Sequence, residues 1–238
     1  MGKQTNIKLR GTVENIIYYQ WKGIDCIRTV PARVRQTKPT KKAASDFGLA
    51  VKCSASLRSS FKYLLPEIPA GRPLIYAMDG SYRKWLQINP LDDKEKIDHI
   101  NLFNELSFNE KVTISKVLNI NILVSRGNNG DVIINWPAFV PINTIKAPGG
   151  TDHVTINYVM ATQDLKDPVA CQSLETKLEI PYNGETVPAK EILLPNVTGR
   201  KLLAILGMSI RYFKQGLQSM PVNTVAWKPG GVAGSFYN

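Results

Sequence analysis

Histidine is almost missing from this sequence: His99 and His153 are the only two in 238 residues. A hydrolytic triad needs a nucleophile, a base and a group that orients the base, and no Gly-x-Ser-x-Gly elbow accompanies these histidines. His153 follows Asp152 at the start of a predicted strand, where it reads as a surface residue. Cysteine is also scarce. Cys26, Cys53 and Cys171 are odd in number, far apart and in no zinc-binding spacing, so they are expected to be reduced thiols acting as small buried apolar side chains. No run approaches the ~18 apolar residues of a membrane helix. Nor does a charged-then-apolar leader open the chain, so it is expected to be made in the cytoplasm without a signal peptide and to be compatible with a released particle.

Nucleotide loops are lacking as well. Pro148-Gly149-Gly150 and Pro229-Gly230-Gly231 have neither the Lys-Ser/Thr pair nor the helix that phosphate cradling requires, and they read as turns, the second opening a small-residue tail. Asp92, Asp93, Glu95 and Asp98 lack the alternating ligands and central glycine of a calcium loop. They read as a helix start capped by Asp92 or Asp93. No catalytic residue, metal site or cofactor is therefore expected, and the chain reads as non-enzymatic.

What the first quarter lacks is acid. Between Met1 and Lys62 stand thirteen Lys and Arg against Glu14, Asp25 and Asp46, while the whole chain carries a net charge of +11. The basicity is local. Within it, Asn15 to Trp21 and Ile24 to Val30 are rich in β-branched and aromatic residues around Lys22-Gly23, which predicts a β-hairpin. Gly11 precedes the first strand and Pro31 ends the second. Val30 to Thr40 has two prolines and no apolar period, so it is expected to be an extended basic arm. A helix capped by Thr40 should follow to Leu65, weakened at Gly48 and between Ser54 and Ser60, stopped by Pro66, and apolar along Ala44, Phe47, Val51, Leu57, Phe61, Leu64 and Leu65.

Pro73 to Met78 and Ser81 to Leu86 read as two short helices around an Asp79-Gly80 turn, with a short apolar piece at Leu102 to Leu106. From Lys111 the pattern becomes β. Strands are expected at Val112 to Val124, Val132 to Trp136, His153 to Ala161, Ser173 to Ile180, Thr186 to Leu194, Lys201 to Phe213 and Val222 to Trp227. A type I′ turn is expected at Asn128-Asn129-Gly130-Asp131. Lys201 to Phe213 is apolar on both faces and should be central. Pro188 marks an edge. The predicted fold is α+β: an N-terminal β-hairpin, arm and helices (1–110) packed with a C-terminal antiparallel immunoglobulin-like β-sandwich (111–238).

Gly11, Val13, Asn15, Trp21, Gly23, Arg28 and Pro31 form a Gly-x-Val-x-Asn…Trp-x-Gly…Arg…Pro pattern. Together with the basic segment, the helix, Ser125-Arg126-Gly127 and the Trp136-ended strand, it resembles an uncharacterised domain family of Bacteroidota. The helix departs from the Gln- and Arg-rich version of that family, and the resemblance is loose beyond Pro137. It implies no known activity. The opening motif is also similar to that of small proteins of phage and mobile elements, which implies a virion or assembly component.

The expected role is a structural protein that self-assembles or joins a larger particle. Arg28, Arg33, Arg35, Lys38, Lys41 and Lys42 would meet an acidic neighbour. A strand through Ile16, Ile17, Tyr19 and Trp21, or Val222 to Trp227, would pair across subunits. The alternative is a nucleic-acid-binding module built on the same cations. Against it, Tyr18 and Trp21 are expected in the core and Tyr19 as a cross-strand neighbour. No membrane partner and no small-molecule substrate is expected.

Overall fold

The computed structural model describes residues 2–3, 8–30, 36–65, 72–88, 100–104, 106–109, 111–127, 129–164, 167, 171–195, 203–214, 220–221 and 227–237. Two compact units divide between Ala43 and Ala44. The first holds an antiparallel sheet of β1 (Gly2–Lys3), β2 (Gly11–Val13), β3 (Ile16–Trp21) and β4 (Ile24–Thr29) in the order β1-β4-β3-β2. The expected hairpin is there. Trp21 pairs with Ile24, and Lys22 and Gly23 between them have φ of 50° and 79°, the two left-handed residues of a type I′ turn.

The unit boundary falls inside α1 (Lys38–Ser60). This helix starts earlier than expected, because Thr37 rather than Thr40 caps it. The Thr40 backbone N–H donates to Thr37 Oγ1 at 3.3 Å, and the Lys41 N–H donates to the Thr37 carbonyl at 3.0 Å. Nor does it break after Ser54. Its core-facing stripe is Ala50, Cys53, Ser54 and Leu57, continued by Phe61 and Leu64 in the turn beyond, whereas Ala44 and Phe47 are exposed. Pro66 and the carboxylates at 92–98 lie outside the described residues.

In the second unit α2 (Arg72–Ile88) is one helix, not two. Leu74, Met78, Tyr82, Trp85 and Leu86 make a continuous buried stripe across the expected turn. Asp79 is used within the helix instead: Arg58 Nη1 donates to its Oδ1 at 3.2 Å and to Ser54 Oγ. A 3-10 turn follows at Ile100–Phe103. Most of the strand expected over Val112 to Val124 is not one. Ile114–Val117 is a single helical turn (α3), Leu118 bridges to Ile145, and pairing begins only in β5 (Leu123–Arg126). The Leu118 N–H closes this turn on the Ile114 carbonyl at 2.8 Å.

β5 and β6 (Val132–Trp136) join through a tight loop in which Gly130 takes a positive φ, 82°, and the Gly130 N–H reaches the Gly127 carbonyl at 3.0 Å. Asn128 lies outside the described residues. Then come α4 (Pro141–Thr144), β7 (His153–Gln163), β8 (Cys171–Pro181), β9 (Lys190–Leu194), β10 (Leu203–Lys214), β11 (Met220–Pro221) and β12 (Gly230–Tyr237). β9 starts after Pro188, and Val187 makes only a lone bridge to Phe139.

These strands form two antiparallel sheets. One is ordered β8-β7-β10, with β11 and β12 both on the far edge of β10. The other is β5-β6-β9. β10 is central, as its double-faced apolarity predicts. Val154, Ile156, Tyr158 and Met160 of β7 share a core with Val132, Ile134 and Trp136 of the smaller sheet. Val159 and Ala161 face the opposite way, into a second core with α1, α2, Phe103 and Phe108. The architecture is α+β, and the helices before residue 110 share a core with strands after it.

Pro229-Gly230-Gly231 is not a tail but the start of β12. A Cβ at Gly231 would stand 2.9 Å from the Leu106 carbonyl oxygen, which accepts from the Val232 N–H at 2.9 Å. Val222 to Ala226, read as the last strand, lies outside the described residues, and Trp227 is not in a strand. Gly231→Ala is expected to cost about 1–3 kcal/mol by forcing two backbones apart, read as a lower urea midpoint.

Candidate partner-binding interface

Directly opposed residues of an antiparallel pair share a face. The register Ile17–Arg28, Tyr19–Cys26, Trp21–Ile24 therefore sets these six side chains on one face of the N-terminal sheet. Ile16, Tyr18 and Ile27 lie on the other. Cys26 is 1% exposed, but Trp21 is 51% exposed. The expectation that Trp21 is core is corrected: it sits at the hairpin end, past the reach of β2, with only Ile24 opposite. Tyr18 and Tyr19 are half-buried.

Cations lie on this aromatic face. The Arg28 guanidinium is 5.4 Å from the Tyr19 ring centre and the Lys22 ammonium 4.9 Å from that of Trp21, within the range at which a ring attracts a cation. On the opposite face, Arg10 donates to Gln20 Oε1 at 3.0 Å. Lys38, Lys41 and Lys42 are exposed in the opening turns of α1, which has no acidic residue in its first turn. Cations there oppose the positive end of the helix dipole, at about 0.3–1 kcal/mol each, so an anion at that end would be favoured. Arg33 and Arg35 lie outside the described residues.

The strand-edge expectation divides. Ile16 and Ile17 are not edge positions, since each is paired on both sides, with Val13 and Thr29 and with Thr12 and Arg28. The ladder to β2 stops at Tyr18, so Tyr19 and Trp21 lie beyond it. Sequence reasoning missed how little of this sheet is covered: Leu9, Val13, Ile16, Trp21, Ile24 and Val30 are all exposed large apolar side chains. The signal was available, because apolar residues fill both faces of a hairpin in a unit too small to bury both.

Among its described residues the second unit holds satisfied polar pairs and cavities. Tyr82 donates to Gln163 Oε1 at 2.6 Å and Gln163 Nε2 to the Cys53 carbonyl at 3.1 Å; Trp136 Nε1 donates to the Tyr158 hydroxyl at 2.9 Å. Burial pushes the Tyr82 and Tyr158 hydroxyls above the ordinary phenol range. A cavity of about 450 Å³ is lined by Leu106, Ile114, Ile122, Tyr158, Met208 and Val232 among others. A smaller one, about 290 Å³, lies beside Asn157, Lys177 and Arg211. His153 stacks on Phe213 with ring centres 4.8 Å apart, and His99 lies outside the described residues. Among the described residues no group of three or more His, Cys, Asp or Glu could hold a metal, and no helix is long and apolar enough to cross a membrane. Comparisons with protein-family models, curated proteins and solved structures find no match.

Burial raises the Cys53 thiol to about 12. Iodoacetamide at pH 8 is therefore expected to label the half-exposed Cys171 while Cys53 and the buried Cys26 react only on unfolding, read by peptide mass spectrometry. The same shift stabilises the fold below the thiol's ordinary pKa near 9, and that contribution fades as pH rises from 9 toward 12.

Proposed function

We propose that this chain is a non-enzymatic structural protein that self-assembles or joins a larger particle through its basic N-terminal segment and its sheet edges. One observation carries the reading. A four-stranded sheet exposes large apolar side chains on both faces beside a cluster of cations, a surface suited to being covered by a partner. The resemblance to an uncharacterised Bacteroidota family, with its similarity to phage and mobile-element proteins, fits a particle component that is made in the cytoplasm.

In this reading residues 123–237 are an immunoglobulin-like sandwich that serves as scaffold. Leaving aside the two-residue β11, its first, second and fifth strands, β5, β6 and β9, form one sheet, and its third, fourth, sixth and seventh, β7, β8, β10 and β12, form the other. The constant-type immunoglobulin order differs in one step, the fourth strand lying with the first, second and fifth. The test is light scattering after size exclusion. Arg28→Glu, Lys41→Glu and Lys42→Glu together are expected to lower an assembled mass toward the 26.5 kDa monomer. High salt should act in the same direction, and an unchanged mass removes the arm from the assembly.

The second reading, a nucleic-acid-binding module, is favoured by the Arg28–Tyr19 and Lys22–Trp21 stacks on one face, the combination single strands use. Its expected signature is an affinity for a fluorescent oligonucleotide that falls steeply with log salt and weakens with Trp21→Ala. No binding at low salt eliminates it.

A further inference from the structure

β8 is the longest strand at a sheet edge. It runs eleven residues, Cys171–Pro181, and pairs along its whole length with β7 on one side. On its other side no strand pairs with it among the described residues. The edge strands of the smaller sheet, β5 and β9, have four and five residues. A long, regular, unpaired edge is a template for another strand. Charges commonly blunt such edges, and β8 carries Glu175, Lys177 and Glu179, all exposed on one face, with Lys177 Nζ 2.7 Å from Glu179 Oε1.

The order of those charges decides who the other strand is. We propose that two copies of this chain pair antiparallel along β8, about a two-fold axis through Thr176. Thr176 is the midpoint of Cys171–Pro181, so this register opposes the strand to its own copy along its whole length. It sets Glu175 opposite Lys177 of the second copy and Lys177 opposite its Glu175, an opposite-charge pair on each side of the axis. On the other face it sets Leu174 opposite Leu178, two apolar side chains that already pack on the core. A two-fold pairing must keep each side chain on its own face, so the neighbouring registers are centred on Glu175 or on Lys177. The first opposes Glu175 to itself. The second opposes Lys177 to itself and Glu175 to Glu179. The charges that discourage pairing with other strands thus admit this copy in this register.

The pairing takes its premise of self-association from the proposed function but uses a separate surface, so the two can fail separately. The experiment is light scattering after size exclusion on the full chain over a range of concentrations. Glu175→Lys is expected to split each pair and so halve the mass, since it sets lysines against Lys177 of the copy. Glu175→Lys with Lys177→Glu is expected to restore the mass by swapping both charges. Both positions are exposed, and circular dichroism verifies that each variant folds. As a second readout, Thr176→Cys is expected to form an interchain disulfide on mild oxidation, because opposed Cα atoms of antiparallel strands lie within disulfide reach; Ser173→Cys, which would face Glu179, is not. A wild-type chain that stays monomeric at every concentration overturns the pairing and the proposed assembly together. A mass that falls on reversing Lys41 and Lys42 but not on Glu175→Lys, or a double swap that does not restore it, overturns the pairing alone.

Discussion

The ladder between β7 and β10 is what the second unit is built on. It runs without a slip from Gln163–Leu203 to His153–Phe213, and both of its faces are covered for much of that length. One face meets the three-stranded sheet, the other the helices. A strand pair buried on both sides has no solvent for its polar groups, so these must be satisfied from within. The backbone does this through the ladder. Gln163 does it through Tyr82 and the Cys53 carbonyl, which also tie α1 and α2 to the strand. Gly207 belongs to the same arrangement, since a Cβ there would stand 2.6 Å from Leu64 Cδ1. The missing side chain leaves room there for Leu64 and Phe61, in the turn after α1.

The first unit is built under the opposite condition. Its hairpin is well specified locally, by a type I′ turn and six opposed residue pairs. Yet Cys26 is its one fully buried described side chain. Local specification gives shape without a core. The exposed indole of Trp21, the cations stacked on its face and the lysines opening α1 are consequences of that imbalance.

How much of this was legible depended on the range of the interaction that decides each element. The β3–β4 hairpin was readable because Lys22-Gly23 and its flanking strands are contiguous. β7 and β10 were readable because their apolar runs are long, and β8 because Leu174, Leu178 and Ile180 fall at even spacing among polar residues. α2 was misread because an Asp-Gly step is a turn signal only where no distant surface rewards a helix; here the core reached by Met78 and Tyr82 does. The alternation over Val112 to Val124 was misread because Leu118 is positioned by a partner at Ile145, remote in sequence. At the candidate interface the cationic and aromatic residue types were evident. Their exposure was not, because it depends on what fails to pack there.

The bridge from 106–108 to 230–232 has a temporal meaning. Leu106 and Phe108 sit in a core whose other wall is β12, more than a hundred residues later. During synthesis α1 and α2 emerge long before the strands that cover them, and β10 emerges before the strand that closes its edge. The apolar stripe of the helices therefore waits uncovered, and the final closure is a long-range step of the kind that makes β-rich chains slow to fold. Until β12 is made, the core of Met78, Tyr82 and Trp85 lacks the cover of Val232 and Tyr237, and such transiently exposed apolar surface is prone to misassociate.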